Sequence, residues 1–167
     1  MASLKNIKLK ILSYKKTGTV THAMEAVSAV KMRKSQERAL SGRAYAAAGL
    51  SILQRLSGTA DIARHPLMRE GKGKTCLIVV TSDKGLAGAL NSGVIRKTEH
   101  LLKERDLDSQ NTVFIGIGRR GAEFFHNRGY DVREKVENVG DDVMETQLQK
   151  VTKKVIEWHS TGELGQC

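Results

Sequence analysis

Aromatic residues make up only 4% of this 167-residue chain. Single-stranded nucleic acid is held largely by bases stacked on aromatic side chains, so that scarcity argues against a stacking platform. Proline occurs once, at Pro66, leaving nothing between Leu4 and Leu56 to break a helix. The two cysteines are far apart: Cys76 opens an apolar run and Cys167 is the last residue. Neither belongs to a metal or redox motif, and such sparing use fits a reducing cytosolic compartment. The five histidines, His22, His65, His100, His126 and His159, are scattered without ligand spacing, so no metal site is expected. No apolar stretch approaches the roughly 20 residues needed to cross a bilayer. The lysine-rich amino end has no apolar signal core behind it, and the chain is expected to be neither exported nor inserted.

What is present is unevenly distributed. Residues 1–56 carry 11 Lys plus Arg against 2 acids, a net of +9, whereas residues 57–167 carry 17 against 16, a net of +1, making up the +10 of the whole. The first segment is rich in Ala, Leu, Lys and Arg, all strong helix formers. At a rise of 1.5 Å per residue it predicts a rod of about 80 Å. That is longer than a domain of this size needs, so the rod is expected to span or penetrate something else, and something acidic. Leu4, Ile7, Ile11 and Tyr14 follow three-four spacing, which Val20, Met24 and Val27 resume after a one-residue shift near Gly18. A stripe this narrow predicts a coiled-coil seam. Small residues such as Ala23, Ala26, Ala29, Gly42, Ala46 and Gly49 leave room for a second helix to approach closely.

The predicted organisation is a long basic helix over 1–57, a connector over 58–73 and a partial α/β domain over 74–167. In the last, apolar β-branched runs at Thr75–Thr81 and Thr112–Ile117 and an alternating run at Tyr130–Val136 read as strands. Helical stretches follow them at about Leu90–Arg105, Arg120–Asn127 and Val143–Trp158. Threefold alternation predicts a parallel sheet.

Three glycine-rich sites resemble phosphate binders. Gly73-Lys74-Thr75 ends like a Walker A loop, but Met68 stands where the first glycine is required, and the segment precedes a strand. The run from Gly116 to Gly121 is a formal G-x-G-x-x-G between strand and helix. It is nevertheless the second βα turn, with two arginines in the variable positions and Glu137 as the nearest plausible ribose ligand, after the next strand. A tight turn whose glycines allow close packing explains it more simply, although a nucleotide-binding enzyme domain remains an alternative reading. The third, Ser82 to Asn91, ends the first strand, where α/β proteins place function. No nucleophile, base or metal ligand accompanies it. A second alternative, a nucleic-acid module built on the basic helix, has no recognised motif.

Ser82-Asp83-Lys84-Gly85-Leu86-Ala87-Gly88-Ala89-Leu90-Asn91 closely resembles the S-D-R-G-L-C-G-x-L-N signature of the gamma subunit of F-type ATP synthases, with Lys84 for the usual Arg and Ala87 for the frequent Cys. Ile7, Ile11, Ser13, Thr17, Thr21, Ala23, Met24, Val27, Ala29 and Lys31 match that family's amino-terminal helix pattern, and Val20 stands where Ile is common. Met32 to Gln36 and His65-Pro66 are similar to bacterial members. The resemblance implies a central stalk: an amino-terminal and a carboxyl-terminal helix wound together inside a ring of alpha and beta subunits, above a small α/β foot near the epsilon subunit and the membrane c-ring. It implies no chemistry, no cofactor and no nucleic acid, but torque transmission driven by proton flow. The family continues for roughly another hundred residues beyond position 167, so a truncated sheet without its closing helix is expected. Implied partner contacts are Met24, Lys31, Arg33 and Lys34 on the shaft and Asp83, Lys84, Gly85, Leu86 and Gly88 on the foot. Implied seam residues are Leu4, Ile7, Ile11, Val20, Met24 and Val27. The implied location is the cytoplasmic face of a bacterial inner membrane, ahead of a mitochondrial matrix face.

Overall fold

The computed structural model describes residues 3–56, 65–68, 71–138 and 144–167. The chain divides into two units, Met1–Thr59 and Ala60–Cys167.

The first unit is one helix, α1 (Leu4–Leu56), 53 residues long with no buried residue. Thr19, Thr21 and Ser41 turn their hydroxyls back onto the carbonyls of Lys15, Thr17 and Arg38, which lets these poorer helix formers sit within it. The helix continues through Gly18 without a break. Nine residues separate Ile11 from Val20, and at about 100° per residue they lie half a turn apart. The apolar positions before and after Gly18 therefore form two patches on different sides of α1. Ile7, the most sheltered of the six seam residues, is still 46% exposed.

In the second unit, Pro66–Met68 forms a short 3-10 turn, and His65 Nδ1 accepts from the Leu67 amide at 3.2 Å. The rest alternates strictly: β1 (Lys74–Val80), α2 (Leu90–Glu104), β2 (Thr112–Ile117), α3 (Arg119–His126), β3 (Asp131–Val136), α4 (Met144–Ser160) and β4 (Leu164–Gln166). All strand pairs are parallel, in the order β3-β2-β1-β4. The α/β architecture read from the sequence is therefore present. Most of the expected connector, and Val143 at the start of the last expected helix, lie outside the described residues.

Each sheet face has its own core. On one face Val79, Phe114 and Phe125 join Leu102 of α2, with Leu77, Phe124, Tyr130 and Val132 around them. The Phe114 and Phe125 rings stack at 4.3 Å, and Tyr130 meets Phe114 edge-on at 5.1 Å. Most of the chain's few aromatics are thus spent in this one cluster. On the other face Cys76, Val113, Ile115, Val136 and Leu164 pack under Val151, Val155 and Trp158 of α4. Burial on both faces explains why β2 is a continuous apolar run and not an alternating one.

The sheet carries one strand that the sequence reading did not include. Residues 164–166 form β4, pairing Leu164 with Lys74 and Gln166 with Thr75 across an irregularity in register. Beyond these pairs β1 has no partner on that side among the described residues, and Ile78 and Val80 are 45% and 58% exposed.

Candidate functional site

The strand order reverses between β1 and β4, since α2 and α3 carry the chain one way from β1 and α4 returns it to the other side. Open α/β sheets place their sites outside the strand ends at such a point. Here it is occupied by the turn from Ser82 to Asn91. Asn91, in the first turn of α2, closes that turn: its Oδ1 accepts the Ser82 amide at 3.0 Å and its Nδ2 donates to Ser82 Oγ at 2.8 Å. Ser82 Oγ donates in turn to the Lys84 carbonyl at 2.5 Å. The serine and asparagine that bound the signature are therefore a latch. Between them Leu86 and Gly88 take left-handed backbone, φ 60° and 56°. Such a conformation is strained for leucine, and Leu86 is fully exposed, its side chain presented to solvent. Lys84, Gly85 and Gly88 are exposed as well.

Asp83 behaves differently. Its Oδ1 accepts the Arg119 amide at 3.0 Å and its Oδ2 the Asn138 amide at 2.9 Å. The carboxylate thus sits at the amino end of α3, where a helix dipole favours an anion, and ties β1 to the turns that follow β2 and β3. The neighbouring amides are also engaged: Arg120 N donates to the Ser82 carbonyl at 3.2 Å, Gly121 N to Thr81 Oγ1 at 2.8 Å and Gly118 N to the Val136 carbonyl at 2.8 Å. In a dinucleotide fold these donors would face a pyrophosphate. In this chain its own groups take that place.

The glycines of the G-x-G-x-x-G run serve packing. A Cβ on Gly118 would stand 2.0 Å from the Thr81 carbonyl oxygen, one on Gly116 would stand 2.5 Å from the Ala122 Cβ, and one on Gly121 would stand 2.9 Å from Thr81 Cγ2. Glu137, the nearest ribose ligand for a nucleotide reading, pairs with Arg119 at 3.3 Å. The Walker-like Gly73 packs against the Glu163 backbone, and Lys74 begins a strand, not a helix. Among the described residues, no group of three or more His, Cys, Asp and Glu side chains is placed to hold a metal.

The shaft residues singled out from sequence are all exposed: Met24, Lys31, Arg33 and Lys34. Arg33 pairs with Glu37 one turn on, at 3.1 Å. Sequence reasoning missed Thr81, which holds the glycine run, and the two backbone bonds that Asp83 accepts. A carboxylate directly following a strand, in a chain that also carries a G-x-G-x-x-G turn, was the available signal.

No helix among the described residues is long and apolar enough to cross a membrane. Residues 3–167 match the family model described as ATP synthase. The chain is 38% identical over 165 residues to the ATP synthase gamma chain of Pelotomaculum thermopropionicum, covering 98% of this chain and 57% of that one. It is 46% identical over 129 residues to that of Geotalea daltonii, covering 77% and 45%. To that of Staphylococcus saprophyticus it is 32% identical over 167 residues, covering 99% and 58%. The chain thus spans about half the length of the curated relatives it matches. A match along nearly all its residues, with the latched Ser82–Asn91 turn in a parallel α/β sheet, places it by descent: the chain belongs to the ATP synthase gamma-chain family.

Proposed function

We propose that this chain is the central-stalk, rotor part of a proton-translocating ATP synthase, carrying torque between a membrane c-ring and the catalytic alpha/beta ring without catalysing anything itself. One observation carries the reading. A 53-residue helix with no buried residue presents two apolar patches and a strong positive charge. An isolated helix gains little from its own hydrogen bonds in water, and most helical stability in proteins comes from packing. α1 therefore needs a partner, and a second helix of the kind the family uses would cover one of its apolar patches, leaving the other to face the surrounding ring.

In this reading residues 1–57 are half the shaft, 58–73 a connector and 74–167 part of the foot. Met24, Lys31, Arg33 and Lys34 face acidic surfaces of the beta subunits as the shaft turns. Exposed cations attract such surfaces at long range but bind weakly and screenably one by one, which suits a sliding contact. On the foot, Lys84, Gly85, Leu86 and Gly88 form the contact, and Asp83 shapes it from behind through its two backbone bonds. The epsilon subunit meets the foot, and the assembly lies on the cytoplasmic face of a bacterial inner membrane.

Co-expression with the alpha and beta subunits of a bacterial ATP synthase tests this. The expected result is a complex that co-purifies and weakens when Met24, Lys31 and Lys34 are replaced together by Asp. Failure of this chain to associate, while a full-length gamma chain from the same organism associates, would overturn the assignment of a ring-engaging shaft to residues 1–57.

A further inference from the structure

Cys76 and Cys167 were read from sequence as unrelated, and the structure corrects this. β4 carries an irregularity between its two pairs with β1, so that Leu164 lies opposite Lys74 but Gln166 opposite Thr75. Gly165 makes the irregularity possible, because a Cβ there would stand 2.4 Å from the Gly71 carbonyl oxygen. Gln166 Nε2 donates to Thr75 Oγ1 at 3.0 Å, which puts those two side chains on the same sheet face. Side chains alternate along a strand, so the next residues, Cys76 and Cys167, share the opposite face. Without the extra residue, Cys167 would point the other way.

We propose that Cys76 and Cys167 form a thiol–disulfide exchange site, at which a low-molecular-weight disulfide of the glutathione type is reduced while the two thiols close a bond that fastens β4 to β1. Neighbouring strands run about 4.8 Å apart, within the Cα separation of roughly 4.4–6.8 Å that a disulfide spans. Access divides the labour: Cys167 is exposed and Cys76 is buried. The Cys76 thiol hydrogen-bonds towards Cys167 and lowers its pKa to about 7, against the opposing effect of burial. The same contact, together with burial, raises that of Cys76. Cys167 is therefore the attacking thiolate.

Its sulfur attacks one sulfur of oxidised glutathione, forming a mixed disulfide and releasing one glutathione thiolate, which takes up a proton. Cys76 then gives its proton to solvent as its sulfur attacks the Cys167 sulfur, expelling the second glutathione. In sum, two protein thiols are oxidised to one disulfide, and one glutathione disulfide is reduced to two thiols. The exchange requires nothing of the rotor role and stands or falls separately from it.

The test treats the full 167-residue chain with oxidised and reduced glutathione, alkylates the remaining thiols, and reads intact mass and peptide maps. Folded wild type should lose both thiols without retaining glutathione, with a ratio of internal to mixed disulfide at least about tenfold above that of the chain in urea. Cys76→Ser should instead retain one glutathione on Cys167, and Cys76→Ala serves the same purpose should the buried serine impair folding. Cys167→Ser should take up none. The proposal is overturned if wild type keeps glutathione on Cys167 as the Cys76 variants do, if folded and urea-treated chains give equal ratios, or if both thiols remain fully alkylatable.

Discussion

The two units of this chain use the same aliphatic residues to opposite ends. In the second unit, Val113, Ile115 and Leu164 are completely buried, whereas α1 has no buried residue, with Met24 at 64% exposure and Leu4 at 70%. That second unit is held by contacts within itself. α1 carries a comparable apolar content with nothing to bury it within its own unit. The difference separates a unit with its own core from a helix that buries nothing by itself, the feature on which the proposed assembly rests.

The comparison breaks most readily at the glycine run. Gly118→Ala places a Cβ 2.0 Å from the Thr81 carbonyl oxygen at a residue with φ 93°, and both problems must be relieved by moving β1 away from α3. We expect a loss on the order of 3–5 kcal/mol. The sole tryptophan, Trp158, packs against the α4-side core and reports on the foot alone. Urea unfolding followed by its fluorescence should shift strongly, and an unchanged midpoint would mean that the β1–α3 approach is looser than the structure has it. Phe125→Ala follows, removing a stacked ring from the other face at a cost of about 3–5 kcal/mol.

Asp83→Ala should cost less, about 1–3 kcal/mol, because it orphans the Arg119 and Asn138 amides in a half-buried site that water partly reaches. This prediction also sharpens the division between support and contact. Leu86→Ala, at a fully exposed position, should leave urea stability within about 0.5 kcal/mol of wild type and act only on partner binding. If Leu86→Ala destabilised the chain as much as Asp83→Ala, the roles assigned within the loop would be reversed.

The elements themselves were legible. Continuous apolar runs marked β1 and β2, of which β2 is covered on two faces while β1 leaves Ile78 and Val80 exposed, and the alternating run marked β3, although the structure begins it at Asp131, one residue after the Tyr130 that packs on Phe114. What was not legible depends on which elements become neighbours. β4 is three residues long and includes two with little strand propensity, Gly165 and Gln166, so no local signal marks it. Without β4 the meeting of Cys76 with Cys167 is invisible, because the shift in phase at Gly165 that aligns them exists only in the pairing with β1. The two backbone bonds of Asp83 were hidden for the same reason: their donors, Arg119 and Asn138, come from turns that reach it only once the sheet is formed. The family signature was read correctly as a unit, yet its bounding residues, Ser82 and Asn91, turn out to hold the loop rather than to display it.

The smallest effect expected in the isolated chain carries the most information about α1. Ile11 is 50% exposed on an element with no buried residue. Ile11→Ala removes little buried surface and substitutes a better helix former, so the two effects oppose each other and the net change should stay within about 0.5 kcal/mol. Far-UV circular dichroism during thermal unfolding checks this. In an assembly that covers α1 the same substitution would delete a packed side chain, for which core truncations suggest a cost of about 2–5 kcal/mol. Weaker co-purification with the alpha and beta subunits, or with the carboxyl-terminal half of a gamma chain supplied separately, should therefore accompany an unchanged melting profile. Val20→Ala repeats the measurement half a turn away. If only Ile11→Ala weakens association, one apolar patch is the interface and the other is solvent-facing. If both do, α1 is covered on two sides, as the change of side at Gly18 requires of an assembly that buries both patches.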